Sequence, residues 1–501
     1  MGGNAMKKIF TLMLSVVAGL AVSCQGYLDI NKDPNSPSAE NMTPDMMFPA
    51  AEMNFAASYG DYLRIVGGYF SQQYSQLTGT SNYLDYSQFN MSATRSSGTY
   101  TQLNSRVLGN LEIIRDYAEA NEEWGTYLAA TILRGFTFQV LVDCYEQTPY
   151  SQALDTAYPS PVYDEGIDVY KGVIAEIDAA LSKVSGGELV CTNFLFPSGE
   201  VAEWIQFANA LKFKMLMRIS AVENVSAQLE AVVNEGNFPT SDVAWAGCWA
   251  DEAGKANPYF SEEFGTYTSV QNNVNLNLAL QGTMADYDDA RMAAFFNPNS
   301  SGVFTGAISG TNFSVSASEH GSGYWCRPAI EYDSPVYLIT VSEIEFFLAE
   351  YYAAKGSSEA EAHYKAAVDA SFESAGVSGA EAVYGEGAPY AWNAESYMEI
   401  IGIQKWVALS GTNNFEAWCE LRRTGYPAFS DQKGSDFYNV QSGDYDVTSY
   451  IPGTLYTPIT VNANLGPKKV LQRFPYADSS SSRNENTPDY KGDGAAMFWA
   501  K

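Results

Sequence analysis

The stretch SEIEFFLAEYYAAKGSSEAEAHYKAAVDASFESAG, residues 342–376, carries the clearest structural pattern in this 501-residue chain. Apolar and small side chains recur every three or four positions on each side of Gly356, which is the spacing of one buried helix face. Gly356 suits the end of a first helix, and Ser357 or Ser358 can cap the start of a second. The stretch therefore predicts two antiparallel helices joined by a short turn.

The small residues of this pair resemble those of a tetratricopeptide unit, in which two helices pack closely and stack on neighbouring pairs. A generic helical hairpin uses the same residue types, and no clean repeat of about 34 residues recurs elsewhere in the chain. The residues that carry the resemblance are Ala349, Ala353, Ala362 and Ala366, interleaved with Tyr352 and Tyr364.

The same periodicity extends to both sides of this pair. It predicts helices over residues 100–120, 123–144, 163–184, 200–219, 392–408 and 412–423. Residues 237–335 and 430–488 are loop-rich, with runs that indicate short strands or hairpin pieces. The predicted fold is therefore mainly α, a tetratricopeptide-like scaffold of helix pairs with long loop excursions and a few short strands.

The N-terminus has the features of a secretory signal peptide. Lys7 and Lys8 precede an apolar run over residues 9–22, and the small Ser23 precedes Cys24. The run is shorter than the roughly 20 residues that cross a bilayer, so a transmembrane helix is the weaker interpretation. The sequence favours lipoprotein processing, in which Cys24 takes a lipid and becomes the first residue, although a plain signal peptide with an incidental cysteine is the alternative. We predict a signal peptide over 1–23 and a single helical domain over 24–501.

Composition restricts the partners of this chain. Its formal net charge is −30, and no local cluster of Lys and Arg offers the cationic footprint that nucleic acid requires. Hydrophobic residues make up 46% and charged residues 17%, which predicts a folded chain. The 34 tyrosines supply many aromatic rings with a polar tip, a type that suits surfaces both apolar and wet, although many must belong to the core.

The remaining cysteines give no sign of metal or redox chemistry. They are far apart and none forms a C-x-x-C motif, so free thiols are expected. They are Cys144, Cys191, Cys248, Cys326 and Cys419.

Motifs for catalysis are missing from the sequence. It has no G-x-S-x-G, Walker or G-x-G-x-x-G motif, and its two histidines, His320 and His363, lie outside any H-E-x-x-H pattern. Asp29, Asn31, Asp33 and Glu40 have the spacing of a calcium loop, but a proline follows Asp33 where the loop needs glycine. No catalytic residue, metal ligand or cofactor is predicted.

Five segments resemble, in order, segments of the SusD/RagB-type outer-membrane lipoproteins. The first begins at Cys24 with CQGYLDINKDPN. The second, LRGFTFQVLVDCYEQTPYSQAL at 133–154, departs from the family's usual glycine-acid pair at Cys144–Gln147. The others are IGIQKWVALSGTNNFEAWCELRRTGYP at 401–427, RFPYADSSSSRNEN at 473–486 and the terminal MFWAK.

The resemblance implies a protein tethered by lipid to the outer membrane at the cell surface. It implies that the protein binds glycans or other nutrients and acts as the lid of a SusC-like TonB-dependent transporter, without performing chemistry on the ligand. The implied partners are thus an oligosaccharide or polysaccharide, that transporter and the outer membrane. The family's ligand contacts vary in position, so no binding residue is carried over.

Candidate glycan contacts come from aromatic residues in predicted loops, because flat rings pack on the CH face of a sugar while nearby amides and carboxylates meet its hydroxyls. Packing within the loops is the alternative for each of them. Trp204, Trp406 and Trp418 lie on helix faces and are predicted to be core. The candidates are Tyr83 and Tyr86 with Asn82, Asp85 and Gln88 beside them, Tyr324 and Trp325, and Trp245 and Trp249.

Other functional classes remain open at this level. A lipid-anchored glycoside hydrolase needs only two carboxylates at a set separation, and 58 acidic residues neither support nor exclude one. An adhesion or structural lipoprotein and a peptide-binding receptor are further alternatives.

Overall fold

The computed structural model describes residues 42–76, 82–185, 187–265, 273–311 and 326–500. The predicted signal peptide, Cys24 and the calcium-like pattern lie outside these residues. Within them, no helix is both long enough and apolar enough to span a bilayer.

The first half of the described chain is built mainly from helices. Two π-helical segments, Ser58–Leu63 and Gln102–Leu108, each join two α-helices into one continuous rod. The α-helices are α1 (Pro44–Ala57), α2 (Arg64–Phe70), α3 (Leu84–Ser87), α4 (Ala93–Thr101), α5 (Gly109–Ala120), α6 (Trp124–Tyr145), α7 (Gly166–Lys183), α8 (Val201–Ile219) and α9 (Ser226–Glu235).

The second half alternates short helices in loop-rich stretches with longer helix pairs. Its helices are α10 (Pro258–Glu263), α11 (Leu278–Ala285), α12 (Met292–Phe295), α13 (Val341–Ala354), α14 (Glu359–Ser374), α15 (Glu381–Tyr384), α16 (Tyr397–Thr412), α17 (Asn414–Thr424), α18 (Gly434–Phe437) and α19 (Asp478–Ser481).

In the described part of the chain, six short strands form three two-stranded sheets. Strand β1 (Tyr74–Gln76) runs antiparallel to β3 (Val274–Leu276), and β2 (Val243–Trp245) runs antiparallel to β4 (Val336–Ile339). Strands β5 (Phe429–Lys433) and β6 (Leu455–Thr457) are parallel. The sheets are too small to form a layer of their own. They connect segments of the loop-rich regions to the helical scaffold.

The predicted pair over 342–376 is confirmed as α13 and α14. Thr340 caps α13 by accepting a hydrogen bond from the backbone N of Glu343 at 3.1 Å. Gly356 has a φ of +66°, the left-handed conformation expected at a helix end. The described chain is mainly helical with short strands, as the fold class predicted.

Two predicted helices begin five or more residues away from their predicted starts. The helix predicted over 100–120 belongs to a longer rod that begins at Ala93, because the side chain of Ser92 accepts a hydrogen bond from the backbone N of Arg95 and caps it there. The helix predicted over 392–408 begins at Tyr397, after a turn in which the Asn393 side chain accepts from the backbone N of Glu395 at 2.9 Å.

The hydrophobic core joins residues from both ends of the described chain, from Met47 to Trp499. Trp204, Trp406 and Trp418 are at most 2% exposed, which confirms their predicted place in the core. The five cysteines predicted as free are unpaired thiols, three of them buried. A smaller cluster, between α13, α14 and α16, packs Phe346 against Tyr364.

Buried ion pairs link the helices through this core. Arg218 on α8 donates to Asp143 on α6 at 2.6 Å, to Glu420 on α17 at 3.1 Å, and to Glu416. Lys214, one turn earlier on α8, pairs with Glu416 at 2.8 Å. Because each carboxylate faces a cation, the charges fix the relative positions of these helices.

Candidate ligand-binding site

Four tyrosines form a packed group around helix α3, which we call the tyrosine cluster: Tyr62, Tyr69, Tyr83 and Tyr86. Tyr83 stacks on Tyr86 with ring centres 5.4 Å apart, and the edge of Tyr69 meets Tyr83 at 6.0 Å. Tyr83 directly precedes α3, at its N-cap position, and has the left-handed conformation with a φ of +60°. The rings form one packed cluster with Tyr83 at its edge.

Carboxyl groups lie beside the tyrosine cluster. Glu263, at the end of α10, accepts hydrogen bonds from the backbone N and the side-chain amide of Asn273, both at 3.3 Å. Burial, together with the neighbouring Glu263 carboxylate, raises the pKa of Tyr83. Burial and the carboxylates of Glu262 and Glu263 also raise the pKa of Asp61 well above its usual range. Glu263 is fully buried, whereas Asp61 is partly exposed and can offer a hydrogen bond to a polar ligand.

A cation completes the rim of the cluster. Arg95 on α4 pairs with Asp85 on α3 at 3.0 Å, and its guanidinium lies 5.4 Å from the ring centre of Tyr86. Both charged side chains are partly exposed. An aromatic group with an exposed acid and an exposed guanidinium beside it is suited to hydrogen-bond a polyhydroxylated ligand.

Three parts of the chain approach one another here. The backbone N of Leu276 in β3 donates to the carbonyl of Cys326 at 2.7 Å, and the backbone N of Gly310 donates to the Ser87 hydroxyl at 2.7 Å. The Tyr69 hydroxyl donates to the carbonyl of Asn273 at 2.9 Å. The loop-rich region thus contributes to the same surface as α2 and α3.

The candidate residues of this surface are mostly covered. Tyr83 is 9% exposed, and Tyr86 is only 1% exposed because Tyr62, Phe70, Tyr83 and Arg95 surround it. In this conformation Tyr86 offers no ring face to a ligand. Loop position indicated exposure, but α3 is a helical turn that directs this side chain inward.

The candidates Trp245 and Trp249 lie in a different environment. Trp245 in β2 is fully buried, packs edge-on against Phe55 at 5.8 Å, and donates from its indole N to Glu52 at 3.3 Å. Trp249 is half-buried and donates to the carbonyl of Trp245 at 2.9 Å. Of this pair, Trp249 alone has an accessible surface for a ligand in this structure.

Tyr324 and Trp325 lie outside the described residues, so their ligand contact stays a prediction. Cys326, which follows them directly, lies beside β3 through its contact with Leu276. Sequence reasoning did not identify Arg95, Asp61 or Glu263. Arg95 and Asp85 are ten positions apart, and no local pattern indicates that α3 and α4 bring them together.

A separate cavity of about 150 Å³ lies where α2, α13, α14 and α16 meet. Its wall carries the guanidinium of Arg64 and several hydroxyl side chains, including those of Thr340 and Ser371. The sequence signal for this site is one arginine inside the otherwise apolar run LRIVGGYF, which sequence reasoning passed over. Within the described residues, no group of three or more His, Cys, Asp or Glu side chains is arranged to hold a metal ion.

Comparison with known proteins gives matches to one family. A family model described as SusD-like, "starch-binding associating with outer membrane", matches residues 35–441. No curated protein sequence matches the chain.

Solved structures share this fold at low sequence identity. A SusD homologue from Bacteroides uniformis has a TM-score of 0.72 and 21% identity, over 90% of this chain and 98% of its own. A chitin-binding SusD homologue from Flavobacterium johnsoniae has a TM-score of 0.71 and 18% identity, over 91% of this chain and 96% of its own. A SusD homologue from Bacteroides thetaiotaomicron has a TM-score of 0.68 and 19% identity, over 90% and 99%. The family match spans most of the chain and the fold agrees with it, so this protein belongs to the SusD-like family.

Proposed function

We propose that this protein is a lipid-anchored receptor on the cell surface that binds a glycan and delivers it to a SusC-like TonB-dependent transporter in the outer membrane. The observation that carries the proposal is the family match over residues 35–441, because that family is described as starch-binding and associated with the outer membrane. In this proposal residues 1–23 are the signal peptide, residues 24–501 form one domain, and the lipid on Cys24 is the anchor.

Binding follows from the chemistry of sugars and of the tyrosine cluster. A pyranose ring has an apolar CH face and a rim of hydroxyls, so it pairs with an aromatic surface flanked by polar groups. Tyr83 lies at the edge of the cluster, and Asp85 and Arg95 supply an acceptor and a donor beside it. Trp249, Tyr324 and Trp325 are the further candidate contacts of this proposal.

The first test is calorimetric titration of the purified protein with starch, chitin, xylan and mucin oligosaccharides. We expect one of these glycans to bind, and Tyr83→Ala, Trp249→Ala or Trp325→Ala to weaken that binding about tenfold or more, because loss of an aromatic anchor typically costs more than about 1 kcal/mol. Tyr158→Ala is the control, since Tyr158 is an exposed loop tyrosine outside the candidate surface. Unchanged affinity in all three variants would move the glycan site elsewhere.

Delivery and the absence of catalysis are tested separately. We expect a TonB-dependent transporter to co-purify with the protein from detergent-solubilised outer membranes, and growth on the bound glycan to fall when the protein's gene is deleted. Incubation with the protein should leave the chain length of the glycan unchanged. Shortened products would support the glycoside hydrolase alternative.

A further inference from the structure

Arg64 is a buried cation whose partners are weak. It is 4% exposed, and within the described residues its guanidinium makes only two hydrogen bonds, from Nε to the Tyr74 hydroxyl and from Nη2 to the carbonyl of Gly411, both at 3.5 Å. These distances are at the outer limit for a hydrogen bond. The ring of Tyr259 lies 5.2 Å from the guanidinium carbon. Among the described residues, Nη1 has no hydrogen-bond partner, and the arginine lines the 150 Å³ cavity.

Most other buried cations of the described chain have a carboxylate partner. Seven lysines and arginines that are less than a tenth exposed form ion pairs with carboxylates: Arg134, Lys214, Arg218, Arg291, Lys405, Arg423 and Arg473.

Arg422 resembles Arg64 in having no such ion pair with a described residue, but it donates to three backbone carbonyls, those of Gln472, Asp143 and Trp418, at 2.7 to 3.2 Å. Arg64 therefore stands apart, because a buried charge is costly unless it is paired and well hydrogen-bonded.

Hydroxyl groups on the cavity wall are also arranged to donate. Ser334 accepts from the backbone N of Glu331 at 2.9 Å, Thr340 from the backbone N of Glu343 at 3.1 Å, and Ser371 from Arg291 Nη1 at 3.0 Å. None of the three donates its own proton to another described group. Each hydroxyl has thus used an acceptor position inside the protein and has a proton available for a ligand.

The charged groups near the cavity leave the positive charge of Arg64 without a carboxylate partner among the described residues. Asp242 lies behind Ser374, from which it accepts a hydrogen bond at 2.7 Å, so one carboxylate is close but already engaged. Arg291 lies behind Ser371 and pairs with Asp289 at 2.6 Å. The net charge of −30 opposes anions at long range, but charges beyond about 8 Å are largely screened at physiological salt.

We propose that this cavity binds the carboxylate of an acidic sugar, with Arg64 as the residue that selects for the charge. The proposal rests on the function proposed above and specifies its cargo as a glycan that contains uronic acid. One negative charge balances one guanidinium, and the two coplanar oxygens of a carboxylate match the guanidinium edge. Ser334, Thr340 and Ser371 donate to the remaining lone pairs. A cavity of 150 Å³ accommodates a carboxyl group with part of its ring.

The test is calorimetric titration of the purified protein with oligosaccharides of galacturonate, glucuronate and mannuronate, each paired with its carboxyl methyl ester. The ester preserves the sugar ring but removes the charge. We expect at least one acid to bind about tenfold or more tightly than its ester, because hydrogen bonds to charged groups are the stronger ones. Arg64→Gln should abolish that preference.

Two further variants test whether the preference for acids depends on Arg64 and on the cavity. Arg106→Gln removes the same charge at an exposed position of the helical rod and should leave the preference unchanged. Ala375→Leu fills the cavity while Arg64 stays, and should abolish the preference even if Arg64→Gln does not fold.

Several results would overturn the proposal. These are equal binding of every acid and its ester, or an acid preference that survives both Arg64→Gln and Ala375→Leu. A neutral glycan bound without any preference for acids would overturn this inference but support the receptor function. Conversely, if no oligosaccharide binds but monomeric galacturonate raises the melting temperature of the wild type and not of Arg64→Gln, the cavity assignment stands and the receptor function falls.

Discussion

Arg218 and Arg64 are both buried arginines, but their surroundings differ. Arg218 is fully buried and its guanidinium reaches three carboxylates on two other helices. Arg64 is almost as buried but faces a cavity. Removing Arg218 leaves Asp143, Glu416 and Glu420 short of a partner, whereas removing Arg64 leaves no buried carboxylate behind among the described residues.

We therefore expect Arg218→Met to lower the free energy of unfolding by about 3 to 5 kcal/mol, the cost of breaking a buried ion pair on one side. Arg64→Met should change it by less than about 1 kcal/mol, because an unpaired buried charge is removed. Urea unfolding followed by circular dichroism measures both. Equal losses in the two variants would show that Arg64 is a structural cation like Arg218.

Glu52 on α1 gives a prediction for how the stability of the protein depends on pH. Its carboxyl group is fully buried and accepts from the backbone N of Phe194 at 2.7 Å, the backbone N of Leu195 at 3.0 Å and the indole of Trp245 at 3.3 Å. Burial raises its pKa from 4.5 to about 7, although these three donors oppose the shift. The folded protein therefore holds this proton more tightly than the unfolded chain does.

The contribution of Glu52 to stability is fully present below pH 4.5 and is lost as the pH rises to about 7. A shift of this size corresponds to on the order of 3 kcal/mol. We expect the stability difference between wild type and Glu52→Gln to fall by up to that amount across this range, measured by urea unfolding at several pH values. Glu485→Gln, at an exposed position, is the control, and a parallel pH profile for Glu52→Gln and wild type would contradict the prediction.

Aromatic residues show how far the burial of a side chain could be predicted from its position in the sequence. The helical spacing around Trp204 and Trp418 placed them correctly in the core. The loop positions of Tyr86 and Trp245 carried no such information, because burial there depends on rings from distant segments, such as Phe70 for Tyr86 and Phe55 for Trp245.

Among the elements, helix α2 depends on a close approach to α17. A Cβ atom placed on Gly67 would lie 2.4 Å from the Cα of Phe415 and 2.5 Å from the carbonyl oxygen of Asn414. Both are backbone atoms, so they cannot rotate away. Glycine is thus required here for helix packing.

We expect Gly67→Ala to destabilise the protein by about 1 to 3 kcal/mol or more, as overpacking does. Gly98→Ala is the matched control, because a Cβ there meets nothing within 4 Å on helix α4. It should stabilise by about 0.4 to 1 kcal/mol through the unfolded state. Thermal unfolding of the two variants tests the pair, and a similar shift in both would mean that the close contact is not rigid.

The sequence pattern predicted some helices and missed others. The pair α13–α14 was predicted from its periodicity and its Gly-Ser-Ser turn. Helix α2 was missed, since it is buried on all sides and shows no polar face. A helix enclosed by other elements loses the contrast on which periodicity depends.

At the scale of the whole molecule, attachment to the membrane is proposed to depend on one residue. We expect Cys24→Ala to abolish labelling by a fatty acid and to shift the protein from the membrane fraction to the soluble fraction. Fractionation with fatty-acid labelling in cells measures both. Unlabelled wild-type protein would favour the plain signal peptide alternative.

The sequence by itself determined the helix pairs, the place of the helix-face tryptophans and membership of the SusD-like family. These follow from local periodicity and from short segments whose order survives in the linear chain. Only the tertiary structure decided which tyrosines are covered, that Arg95 joins the tyrosine cluster, and that Arg64 faces a cavity without a carboxylate. The physical reason is distance along the chain. Burial and charge pairing are set by contacts such as Gln73 with Trp406 and Arg64 with Gly411, and no local pattern records groups more than 300 positions apart.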